Sequence, residues 1–86
     1  MEHTSSEDPA YTAAVADLLG VLAYGELTAF IRMAVDSDLA PTLALKSSMA
    51  GLAHTEFVQY SLLIEHMGSR GIDAEAAMAR VRREAT

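Results

Sequence analysis

The chain has no cysteine and no tryptophan, only two prolines, and six basic residues against twelve acidic ones. Without cysteine, neither a disulfide framework nor a thiolate metal site can brace a small fold. A formal net charge of -6 excludes binding to phosphate backbones by bulk electrostatics. Half of the cations, Arg80, Arg82 and Arg83, cluster beside Glu84 near the C-terminus. They read as a solvated helix end that complements the helix dipole, not as a nucleic-acid surface. Asp17, Glu26 and Arg32 interrupt the first long apolar segment, and Lys46, His54 and Glu56 the second. No uncharged run therefore reaches the roughly 18 residues of a spanning helix, and no membrane span is expected. The stretch Met1 to Pro9 is acidic and polar where a signal peptide is basic and then apolar, which points to the cytoplasm.

What is present is apolar and helix-forming. Hydrophobic residues make up 51% of 86 and are dominated by Ala, Leu and Met rather than by β-branched or aromatic types, a mixture that favours helix. A single domain of this size buries only about 60–65% of the surface that its unfolded chain exposes. A partner chain or a bound metal is expected to make up the deficit, and oligomerisation is the simpler of the two.

Residues 1–8 carry no apolar periodicity and are expected to form a polar tail. Asp8 before Pro9 is a helix start, with the acid as N-cap and the proline where its missing N–H costs nothing. The first helix is predicted over 9–36. Along it Val15, Leu19, Leu22, Glu26, Phe30 and Met33 stay within about 40° of one line. Asp36 to Pro41 breaks the pattern and is predicted as the turn, because Ser and Asp compete for backbone hydrogen bonds and proline biases its predecessor away from helix. A second helix is predicted over 41–67, with Leu45, Met49, Leu52, Glu56, Leu63 and Met67 on one stripe and Gln59 about 60° to its side. Gly68 is its expected C-cap. A third helix is predicted over 73–84 with Asp73 as N-cap and Ala77, Met78 and Val81 as its apolar side. Two long helices joined by a short turn pack antiparallel, so the fold class is all-α, a hairpin with an appended helix. Leu19, Leu22, Phe30, Met33, Met49, Leu52 and Leu63 are the expected core. Two helices cannot enclose a core, whereas two hairpins can, as a four-helix bundle.

Glu26 and Glu56 stand inside these apolar stripes, and burying an ionised carboxylate costs several kcal/mol unless a cation, a hydrogen bond or a proton compensates it. They lie about 15 Å and 22 Å from the turn at 1.5 Å per residue. A late start of the second helix, near Leu43, would let the two face each other. A two-fold dimer would then gather four carboxylates, an oxygen environment that hard or borderline divalent cations prefer.

The runs Tyr24-Gly25-Glu26-Leu27 with Ala29-Phe30, Leu39 to Leu43, Ala53 with Glu56, and Gly71-Ile72-Asp73 with Glu75, Ala77 and Met78 resemble the N-terminal half of a ferritin-like family related to the tRNA hydroxylases of isopentenylated adenosine. The resemblance covers about residues 13–80. It implies a ferritin-like bundle, a non-haem di-iron centre, and oxygen-dependent hydroxylation or iron oxidation, with Glu26, Glu56 and Gln59 as the metal-site residues. Gln59 stands where the family's Glu-x-x-His has its histidine, and the family is about twice as long. A homodimer would supply the missing helical pair, as the two-helix encapsulated ferritins do.

Two readings stand at this point. In the first, the dimer is a di-metal carboxylate protein with a degenerate site and iron as cofactor. In the second, it carries no cofactor and is a catalytically silent helical interaction module that dimerises or pairs with a longer ferritin-like chain. There, Glu26 and Glu56 share protons and hydrogen bonds with each other, Gln59, Tyr24 or Tyr60. His54 lies about 160° round the helix from Glu56, and His66 about 10 Å along it from Gln59, so both are expected at the surface or the rim.

Overall fold

The computed structural model of the chain describes residues 8–85, and apart from Asp8 the expected tail falls outside them. Three helices and no strands are present among the described residues: α1 Pro9–Leu39, α2 Leu43–Ser69 and α3 Ala74–Ala85. Asp8 caps α1, its Oδ1 accepting from the Ala10 N–H at 2.9 Å. Thr42 caps α2 through its hydroxyl oxygen, 3.1 Å from the Leu45 N–H. Asp73 does the same for α3, accepting from the Ala76 N–H at 3.1 Å. Each of these caps satisfies an N–H that the first helical turn leaves without an internal partner.

The turn is shorter than the sequence predicts. Asp36, Ser37 and Asp38 continue α1, and only residues 40–42 connect the helices. Ser37 does not compete with its own helix: its hydroxyl donates to the Lys46 carbonyl of α2 at 2.8 Å. The Lys46 ammonium in turn donates to the Asp38 carbonyl, an acceptor near the α1 C-terminus. These two bonds tie the hairpin closed. Pro41 lies in the connection and not in α2, which begins at Leu43.

Gly68 is not the cap of α2. The left-handed residue is Gly71, at φ 74°, where glycine carries no Cβ penalty. The Gly71 N–H donates to the Gly68 carbonyl at 3.0 Å and the Ile72 N–H to the Met67 carbonyl at 2.9 Å, the paired bonds of a Schellman motif. Its accompanying apolar contact is present as well, since Ile72 packs on the cluster containing Met67.

The buried centre is small. Leu19, Ala23 and Met67 form it, with Val15, Tyr60, Leu63, Ile64, Ala77 and Met78 partly buried around them. Close approach at Gly20 positions α3, because a Cβ built there would lie 3.0 Å from the Ala77 Cβ and 3.1 Å from its carbonyl oxygen. Arg80 of α3 pairs with Asp17 of α1 at 3.4 Å, an exposed ion pair worth little by itself. Of the predicted core, Leu19 is buried and Phe30, Met33, Met49 and Leu63 are half-buried. Leu22 and Leu52 are instead 46% and 56% exposed. They belong to the apolar stripes, but α3 packs mainly on α1, on the side of Gly20, about 160° round that helix from Leu22.

By length and composition alone α1 is apolar enough to cross a membrane, with a mean hydropathy of 1.6 over its best 18-residue window, of which 11% is buried. Any such window of α1 includes Glu26, so the helix is apolar in mean hydropathy without being an uncharged run. A helix apolar on most of its circumference demands cover on several sides, and within this chain α1 obtains it on two.

Candidate metal centre

Glu26 stands on α1 and Glu56 on α2, both half-buried at the middle of the hairpin seam. The start of α2 at Leu43 brings them level, and their carboxyl groups lie close enough to interact directly. A hydrogen bond between two carboxyl groups requires one of them to hold a proton. The Oε1 atom of Glu26 is itself buried and has no hydrogen-bond partner. Hydrogen bonding with the Glu56 carboxyl, then loss of solvent, then the adjacent negative charge hold the Glu26 carboxyl above its ordinary value of 4.5.

The seam opens on one side into a depression of about 340 Å³ lined by Leu22, Glu26, Gln59, Leu62 and Leu63. Gln59 thus shares a wall with Glu26 but is exposed, and neither it nor Tyr24 or Tyr60 donates a hydrogen bond to the carboxyl pair. The broader polar network considered from the sequence therefore reduces, within one chain, to the two carboxyl groups. Next to Glu56 in sequence, Phe57 makes tilted ring contacts with Phe30 at 5.1 Å and with Tyr60 at 5.7 Å, a geometry that aromatic pairs favour.

A family model described as a ferritin-like domain of actinomycetes matches residues 9–84. The chain belongs to this ferritin-like family. No curated protein and no solved structure matches the chain.

A di-metal centre of the ferritin-like kind draws on carboxylates from several helices and on a Glu-x-x-His pair from each of two. Among the described residues of this ferritin-like domain, no group of three or more His, Cys, Asp or Glu side chains is close enough to hold a metal ion. His54 and His66 are both exposed and do not join Glu56. One chain therefore presents half a donor set: two carboxyl groups, an amide at the rim, and a buried carboxylate oxygen with nothing to bind. The donor chemistry fits a hard or borderline cation, but the number of ligands fits it only when a second chain contributes the same residues.

The raised carboxyl has a consequence for stability. A group that binds its proton more tightly in the folded state stabilises the fold fully below its unfolded value and loses that contribution as pH rises through the folded value. In chelator, thermal stability is therefore expected to fall as pH rises above the ordinary carboxyl value of 4.5. Glu26→Gln removes the titrating group, and melting curves of this variant over the same range should be flatter. An equally steep profile would place the titration elsewhere.

Proposed function

We propose that the chain works as a homodimeric, cytoplasmic, ferritin-like di-metal carboxylate protein, in which Glu26 and Glu56 of two copies supply the metal ligands. The observation that carries this reading is the buried Oε1 of Glu26, which no hydrogen-bond partner reaches, in a carboxyl group set directly beside that of Glu56. Acidic groups forced together in an apolar seam are held there by a proton or by a cation. Doubling the pair across a two-fold axis raises the repulsion and the number of oxygen donors at once, and both changes favour a divalent metal at neutral pH. Iron, when bound, supplies the redox chemistry for oxygen-dependent hydroxylation or ferrous oxidation, the activity type of the related tRNA hydroxylases. The residues of this chain have simpler tasks. Glu26 and Glu56 would hold and neutralise the cation, Gln59 would offer an amide oxygen at the rim, and Leu22, Leu62 and Leu63 would exclude water once the depression is covered.

Gln59 is the weak member of the set, since an amide oxygen is a poorer ligand for ferrous iron than an imidazole. Gln59→His is expected to tighten ferrous binding by about tenfold or more, read by anaerobic titration against the parent protein. An unchanged titration would show that the carboxylates of two chains are not gathered around one centre.

The same adjacency favours a second reading, because a single proton shared between the two carboxyl groups would satisfy the pair without metal. In that case the domain is a silent helical interaction module that pairs with itself or with a longer ferritin-like chain. Metal analysis of protein purified without chelator separates the two.

A further inference from the structure

We propose that the bare face of the hairpin is a self-complementary interface. A second copy seats on it with its α1 antiparallel to the first, across a two-fold axis near Gly25. The inference rests on the reading of Glu26 and Glu56 as half of a metal centre and names the surface that assembles the whole.

On α1, Leu18, Leu22, Gly25 and Ala29 fall within an arc of about 60°, centred about 170° round the helix from Gly20. Gly20 is the residue against which α3 packs, so this arc lies opposite α3. Leu18 and Leu22 stand out of it, 59% and 46% exposed. One turn further along, Gly25, Thr28, Ala29 and Arg32 line a depression of about 310 Å³. Nothing lies within 4 Å of where a Gly25 Cβ would be. Ridge and notch thus occupy one face of one helix, side by side, which is the condition for an isologous contact. An axis near Gly25 lays Leu22 of each copy into the notch of the other.

The same axis has an independent consequence at the seam. Glu26 adjoins Gly25 in sequence, and Gln59 lines the same depression as Glu26, so both residues of both copies come to stand beside the axis. The ridge-in-notch fit and the completion of the donor set select one placement.

The size of the surface agrees with this occupant. Two helices side by side, with α2 spanning 27 residues, present a face of about 40 by 20 Å, or about 800 Å², the area that each partner of a stable complex contributes. Leu52 and Leu62, 56% and 59% exposed, extend the apolar surface onto α2. The molecule measures 59 × 29 × 13 Å, too thin for helices on both broad faces. A lipid surface is a poorer occupant, because it would seal the partnerless Glu26 oxygen under hydrocarbon, whereas a second copy brings the Gln59 amide to the same place.

The test is sedimentation equilibrium in chelator, with ferrous uptake measured in parallel, on the parent protein and on two variants that each add one leucine. Gly25→Leu fills the notch; Ser61→Leu adds the same side chain about 140° round α2 from Glu56, on the edge of α2 turned away from α1. Leucine raises helix propensity at Gly25, so circular dichroism should report an intact helical chain. The parent protein and Ser61→Leu are expected to be dimers, and Gly25→Leu to raise the dissociation constant at least hundredfold. A monomeric parent protein, a Gly25→Leu variant with the parent's dissociation constant, or a parent chain that partitions into neutral lipid vesicles in preference to dimerising would each overturn the interface. A parent dimer that takes up no iron, and that Gly25→Leu dissociates, supports the interface while removing the metal reading.

Discussion

Glu26→Gln is expected to weaken ferrous binding by about a hundredfold or more and, in the same protein, to raise the melting temperature of the metal-free form at neutral pH. The two effects have one cause. The carboxyl of Glu26 lies beside that of Glu56 and is held above its ordinary value by that neighbour and by loss of solvent, and its Oε1 is buried without a partner. At neutral pH the metal-free fold must either keep a proton on the pair or tolerate two adjacent charges in an apolar seam. An amide of the same shape donates to Glu56 without titrating, so the strain is relieved. It also carries no charge for a metal, and in a two-fold dimer the loss occurs twice. Ferrous titration and thermal melts in chelator measure the two halves separately. Opposite signs identify a site whose carboxylate is kept at the expense of stability. A destabilised variant that still bound iron would show that Glu26 serves the fold and not the metal.

Met67→Ala should be the most damaging single truncation in the chain. Among the described residues, Met67 is the one large side chain that is completely buried. It packs with Leu19 and Ala23 at the end of the hairpin where α3 returns, and its carbonyl accepts the Ile72 N–H that closes the Schellman motif. Truncating a buried methionine costs about 2–5 kcal/mol through lost transfer energy and the cavity left behind. A domain of 86 residues has a total stability of about 4–13 kcal/mol, so the loss is a large part of the whole. Denaturant unfolding should show a midpoint displaced by that amount. Met33→Ala, at a half-buried position, should lose about half as much or less. A cost below about 1 kcal/mol at Met67 would mean that the small cluster does not hold α3 in place.

The elements of the fold were legible where one residue type has one local use. Asp8 before Pro9 and Asp73 before α3 act as caps because a short acidic side chain at a helix start has few other partners. The turn was not legible, since Asp36 and Ser37 break helices only when their side chains bond locally. Here the Ser37 hydroxyl is engaged by Lys46, nine residues away, which no local pattern reveals. Gly68 and Gly71 look alike in sequence, and only the position of Met67 under Ile72 decides which one turns left-handed. Periodicity identified the stripes containing Leu22 and Leu52 but not the side of the hairpin to which α3 returns, so these two residues were assigned to a core that a single chain does not form. Gly20 and Ala23 carry little hydrophobic signal because they are small, and their spacing of three is the sequence trace of the close packing near Ala77. At the candidate site, Glu26 and Glu56 were legible as charges out of place in apolar stripes, and the hairpin does bring them together. What lies across from them depends on a second molecule, about which one sequence says nothing directly.

The most direct test of the central claim is anomalous scattering at the iron edge from crystals of the protein purified without chelator and loaded anaerobically with ferrous iron. The expected result is a pair of peaks on or beside a two-fold axis between two copies, each within coordination distance of Glu26 and Glu56 carboxylate oxygens. Dimers with no anomalous peak at these carboxylates, after loading with excess ferrous iron, would contradict the metal-centre reading and leave the domain as a helical interaction module.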